Sequence, residues 1–333
     1  MKKLKLIDFY LIGLIVSAIS SVILRTYALF FDFDRLTMHF SNSISATLAN
    51  AIVIIATLVF TAYLFIKKED CDFLEKTDNA ASFIPSGIVS VALVFMGVSL
   101  IKTMNGHHTA LLRPISLWAA ALALLSVGSF FLSILIEEKN NIYKSAFSIC
   151  TVLFLALYAC YLYFNREIHP TNSPSKVVDQ MAYLFSAAFF LYESRITLGR
   201  AKWRGYVAFG LMASLLCFYS AVPSLILYAL SGELISDSLA ESAVTLAIAI
   251  FITSKVFQTK TLTPDTECEV ARSIATLHEM RRDEIEQLRK SSHARANNNM
   301  EEKDEVGDMA NYTFDIPYVE TRSEYASDDT PSE

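Results

Sequence analysis

A chain of 333 residues could fold as two soluble domains, but 53% hydrophobic residues and a mean hydropathy of +0.39 point instead to repeated membrane crossings. The net charge of −6 is unevenly spread: from Gln258 onward 9 Lys/Arg stand against 18 Asp/Glu, net −9, which leaves net +3 for residues 1–257. An acidic tail argues against nucleic acid as a partner. Five cysteines without CxxC spacing define neither a disulfide framework nor a zinc knuckle.

The chain opens with MKKLK and an apolar run, which imitates a signal peptide. No small-x-small cleavage site leads into a soluble domain and further spans follow, so the run reads as an uncleaved first helix. Eight apolar runs can be delimited, at about 6–24, 43–66, 83–101, 114–136, 142–163, 176–198, 204–230 and 238–257. Short connections make sequential helices antiparallel neighbours. With the N-terminus inside, fourteen Lys/Arg fall in inner segments and six in outer ones (Arg25, Arg35, Lys102, Arg113, Arg166 and Lys176). That bias places both termini in the cytoplasm of a multi-pass protein of the cell membrane. The expected fold is an all-α membrane protein, a bundle of eight transmembrane helices over residues 1–257. A cytoplasmic C-terminal helix over 258–299 and a disordered acidic tail over 300–333 complete it.

Proline and charge mark individual spans. Pro85 and Pro114 fit the first turns of spans 3 and 4, where a missing N–H costs little. Pro223 falls inside span 7 and is expected to kink it and free the carbonyl near Tyr219. Span 6 carries carboxylates near both ends. Asp179, Tyr183, Ser186, Phe190 and Glu193 follow 4-3-4-3 spacing and share one helix face. An ionisable group within a bilayer costs about 2.5–3.5 kcal/mol unless it faces the bundle interior, a wet cavity or a partner, so this face should point inward. The plain alternative has Asp179 and Glu193 hydrated at opposite interfaces, Glu193 supported by Arg195, Arg200 and Lys202.

In span 8 only 13 residues separate Glu241 from Lys255, about 20 Å of helix at ~1.5 Å per residue, which sets Glu241 below the outer boundary. Asp237 and Thr245 lie one turn to either side of it. With Asp179, these acids could line an outward-facing vestibule suited to a cation or an amine, with Arg113 as a counter-ion; a hydrated acidic rim is the plain alternative.

The tail starts a helix with Thr263 as cap and Pro264 at its first position. Val270, Ile274, Leu277, Ile285 and Leu288 then form a stripe suited to dimerisation or to docking a protein partner over Val270–Leu288. Within it, Leu277-His278-Glu279-Met280-Arg281 looks like the phosphoacceptor box of sensor histidine kinases over five residues. The customary proline does not follow, and no ATP-binding domain comes after, so His278 reads as part of a solvated surface. From Met300 onward two basic residues face eleven acidic ones, the composition of a disordered segment.

No HExxH, GxSxG, Walker or GxGxxG pattern stands in a supporting context, so neither a catalytic residue nor a metal or cofactor site is assigned. Two readings survive. One is a membrane sensor or scaffold whose tail helix engages a partner. The other is a small permease for a cation or amine using the carboxylates of spans 6 and 8. A carrier needs polar groups converging toward the midplane, often at broken helices, whereas a scaffold can keep an apolar interior; with most carboxylates near the interfaces and no internal repeat, the sequence favours the sensor or scaffold.

Overall fold

Inside a bilayer the backbone has no water to bond with, so apolar runs of bilayer length satisfy their N–H and C=O groups as helices. The computed structural model of the chain describes residues 6–34, 39–40, 43–65, 80–104, 111–135, 142–165, 174–197, 203–232, 238–259, 281–287 and 289–291. Its elements are α1 (Leu6–Phe31), β1 (Phe33–Asp34), β2 (His39–Phe40), α2 (Ile44–Ala62, ending in a 3-10 turn at Tyr63–Phe65), α3 (Ala80–Met104), α4 (Leu112–Leu135), α5 (Ile142–Phe164), α6 (Pro174–Thr197), α7 (Trp203–Ser231) and α8 (Leu239–Gln258). The two short strands pair antiparallel as a hairpin between α1 and α2.

The protein is thus an all-α membrane protein, and among the described residues seven helices, α1 to α5, α7 and α8, are long and apolar enough to cross a bilayer. α6 falls outside that set because it carries Lys176, Asp179, Glu193 and Arg195. It is nonetheless packed between α5 and α7. Each helix from α3 to α8 packs on the next, and α8 returns to α3, which closes a ring of six. The α1–α2 pair lies against α7.

α7 is the helix on which most others converge, and its composition explains why. Small residues let neighbouring backbones approach. A methyl group added at Gly205 would collide with the Tyr192 ring of α6, and one added at Gly210 with Val256 of α8. At its far end Gly232 adopts φ +72° and its N–H bonds to the Tyr228 carbonyl at 2.8 Å, a left-handed stop that glycine makes at little cost. Leu29 and Leu227 close the bundle at this end, beneath Phe33 and Phe40 of the hairpin.

Two boundaries differ from the sequence expectation. α1 continues through Arg25 to Phe31, so Arg25 is a helix residue, 4% exposed, and not part of an outer loop. α3 begins at Ala80, which puts Pro85 inside the helix beyond its first turn. Pro223 lies inside α7, as its place in span 7 implied; the helix continues to Ser231, and Ser224 Oγ donates to the Ser220 carbonyl at 3.0 Å.

Residues 273–333 form a separate unit. In it, residues 281–287 and 289–291 are helical and exposed, and Lys290 pairs with Glu286 at 3.4 Å. Of the tail stripe, Ile285 is described and is 59% exposed. Val270, Ile274, Leu277, Leu288 and the acidic stretch 300–333 lie outside the described residues.

Candidate functional site

The 4-3-4-3 spacing on α6 becomes a ladder because α7 runs antiparallel and α8 parallel to it. Ser220 Oγ donates a short hydrogen bond to the Asp179 carboxylate. Tyr183 and Thr245 share a hydroxyl hydrogen bond of 2.8 Å, and Thr245 Oγ1 also donates to the Glu241 carbonyl at 2.9 Å. Ser186 Oγ meets Cys217 Sγ at 3.3 Å. Phe190 stacks on Phe251 with centroids 5.7 Å apart. Glu193 Oε1 lies 3.8 Å from Lys255 Nζ, and its carboxylate accepts a hydrogen bond from Tyr206. The register agrees along the whole length. Asp179 to Glu193 spans fourteen residues, as does Ser220 back to Tyr206, and Tyr183 to Glu193 spans ten, as does Thr245 to Lys255.

Two rungs lie inward of the helix start: Asp179 is about 7 Å and Tyr183 about 13 Å along an axis of about 36 Å at ~1.5 Å per residue, which puts Tyr183 in the middle third of α6. Tyr183 and Ser186 are fully buried at 2% and 0% exposure. In lipid such groups need protein partners, and each has one here.

The charge facing Asp179 comes from a helix outside the ring. Arg25 of α1 interacts electrostatically with Asp179, and its guanidinium lies over the Tyr219 ring of α7, 4.3 Å from the centroid. Tyr219 in turn donates to Asn50 Oδ1 of α2 at 2.6 Å. Arg25, Asn50, Asp179, Tyr219 and Ser220 therefore tie α1, α2, α6 and α7 together. Sequence reading missed Arg25, Tyr219 and Ser220. Arg25 had a signal, since Ser17, Ser21 and Arg25 recur every four residues and all three are buried on one face of α1.

The other expected residues fall as follows. Glu241 is 3% exposed and occupies the third position of α8; Ser238 Oγ caps its N–H at 3.2 Å, the S-x-x-E spacing of a capping box. Glu241 is also an electrostatic neighbour of Tyr183. Asp237 and Arg200 lie outside the described residues. Arg113 is exposed in the first turn of α4, and the cation beside Asp179 is Arg25. At the opposite end Glu193 faces Lys255, while Arg195 is exposed and approaches the Tyr192 ring at 5.9 Å. Pro223 is buried one turn beyond Tyr219 and Ser220.

Among the described residues no three His, Cys, Asp or Glu side chains come together in a way that could hold a metal ion. The arrangement offers carboxylates, hydroxyls and ring faces, which can hold a cation by charge, by hydrogen bonds and by cation–π contact. The chain matches no known protein family, no curated protein and no solved structure.

Proposed function

We propose that the chain is an eight-helix multi-pass protein of the permease class, with both termini cytoplasmic, that takes a small cation or amine at Asp179. The observation that carries this reading is the ladder itself. Five residues of one face of α6 meet partners on α7 and α8 in register, and the polar rungs run from one end of the bundle toward its middle. A scaffold has no need for such a run, because each buried polar rung between helices stabilises by only about 0.6 kcal/mol on average while excluding apolar packing. Arg25 acts as a tethered counter-ion to Asp179 inside the bundle, and an arriving ammonium group replaces it beside the carboxylate. α6 then counts as the eighth span, with Lys176, Asp179 and Glu193 turned to the interior.

The test is direct titration. Purified protein in detergent, exposed to methylammonium chloride at constant ionic strength with sodium chloride as the balance, should unfold at a higher temperature, as binding to the folded state alone requires. Asp179→Asn should lose that response. A wild-type protein indifferent to methylammonium would remove the amine reading. Orientation is tested in a cysteine-free background: membrane-impermeant thiol reagents added outside cells should label His107→Cys and miss Asp70→Cys and Lys202→Cys.

The sensor or scaffold reading is supported by exposed Ile285 on the described tail helix. Its test is a pull-down with residues 258–299 and with Ile285→Glu; it stands only where a single membrane or cytosolic protein is held by the first and released by the second.

A further inference from the structure

The ladder has a second carboxylate in the same kind of setting as the first. Asp179 interacts with a guanidinium that lies over the Tyr219 ring at 4.3 Å, and its carboxylate accepts from the Ser220 hydroxyl. Fourteen residues on, Glu193 is 3.8 Å from an ammonium group that lies 5.5 Å from the Phe251 centroid, and its carboxylate accepts from the Tyr206 hydroxyl. Each carboxylate of α6 is therefore matched by one cation from another helix, one aromatic face and one hydroxyl of α7. A carboxylate with a ring face beside it is the chemistry that recognises an organic ammonium ion.

Between these two positions the ladder has one rung without polar atoms. Phe190 stacks on Phe251, and Phe130 of α4 sets its edge against both, with centroids 5.6 Å from Phe190 and 5.1 Å from Phe251. All three rings are buried, at 2%, 3% and 1% exposure for Phe190, Phe251 and Phe130. A charged group cannot enter such a layer while the rings pack on one another, and the cation–π contact it would gain there replaces only part of its hydration. The layer belongs to three different helices, so displacement of α4, α6 or α8 by a side-chain radius opens it.

We infer that Glu193, with Tyr206 and Lys255, is a second binding position for the same class of amine, and that Phe130, Phe190 and Phe251 are the barrier closed between the two. This rests on the permease reading above. Lys255 then plays at Glu193 the part that Arg25 plays at Asp179, a tethered cation that leaves when substrate arrives.

Proteoliposomes loaded with radiolabelled methylammonium test it, with calcein co-trapped to show that vesicles stay sealed. Wild-type protein should release the label slowly. Phe251→Ala and Phe190→Ala should each release it at least ten times faster while retaining calcein. Adding Asp179→Asn to Phe251→Ala should return release to the wild-type rate, and adding Glu193→Gln should cut it at least three-fold. If an alanine variant does not run as a single monodisperse species, Phe251→Leu carries the test, with a rise of at least three-fold expected. Should methylammonium stabilise the wild-type protein in detergent while every monodisperse ring variant leaks no faster than wild type, the barrier is overturned and the Asp179 reading stands. Should release rise but remain unaffected by Glu193→Gln, the second position is overturned alone. Failure of methylammonium to stabilise the wild-type protein removes the permease reading beneath both.

Discussion

The α1–α2 pair and the α7–α8 pair lie against each other, yet one is exposed and the other is interior. Over their membrane windows α1 and α2 are 28% and 17% buried, whereas α7 and α8 are 78% and 67% buried, and it is the exposed pair that is the more hydropathic. Lipid tails are as apolar as leucine, so in a membrane the hydrophobic surface turns outward and interior packing is carried by small and polar residues. Ile54, Ile55, Leu58 and Val59 accordingly line an exposed face of α2. Gly205, Gly210, Ser214, Cys217 and Ser220 lie buried along α7. The exception on the outer pair is Arg25, through which α1 reaches the polar ladder.

That exception gives the largest expected effect. Arg25→Ala takes from Asp179 the cation that interacts with it electrostatically and from Tyr219 the group over its ring, and leaving buried charged and polar groups unmatched costs about 3 kcal/mol. Thermal unfolding in detergent should show a marked drop that Asp179→Asn, added as a second change, partly restores. Equal drops in the single and double variants would mean that the two groups do not act as a pair.

The packing contrast predicts the next effect. Gly210→Leu forces a side chain into Val256 and Phe189 and should destabilise by about 1–3 kcal/mol, the usual cost of overpacking. Gly87 of α3 has no atom within 4 Å of an added methyl, so Gly87→Ala should be neutral or stabilise by up to ~1 kcal/mol through helix propensity. Similar unfolding temperatures for the two variants would contradict the crowding assigned to α7.

Tyr183→Phe removes one hydroxyl of a buried rung and keeps the ring. Interhelical hydrogen bonds in membranes average about 0.6 kcal/mol, so a fall of one or two degrees is expected, with a double-mutant cycle against Thr245→Val reporting the coupling. The smallest effect belongs to residues 301–333. Their composition supplies little apolar surface to offset ordering entropy, and their deletion should leave the unfolding temperature unchanged.

Much of the helical layout was legible in the sequence because bilayer length and hydropathy act locally. The run at 142–163 corresponds to α5 at Ile142–Phe164, and that at 238–257 to α8 at Leu239–Gln258. The face shared by Asp179, Tyr183, Ser186, Phe190 and Glu193 was legible from spacing alone. Their partners were not, because pairing across helices depends on register that no local pattern encodes. Glu193 meets Lys255, sixty-two residues away, while its near neighbour Arg195 points elsewhere and is exposed. Arg25 escaped because hydropathy ends a span at the first charge, whereas the backbone of α1 stays helical to Phe31 once that charge has a carboxylate and a ring to face. Glu241 illustrates the converse: its depth was inferred from the distance to Lys255, but Ser238 three residues earlier marks it as a helix-start residue.

The central claim is that Asp179 is where substrate binds, and counterflow measures it most directly. Proteoliposomes preloaded with unlabelled methylammonium and diluted into trace radiolabelled methylammonium should accumulate label transiently with the wild-type protein. Asp179→Asn should give no accumulation at unchanged protein incorporation, and Glu193→Gln should retain part of it. Accumulation by Asp179→Asn equal to wild type would contradict the account.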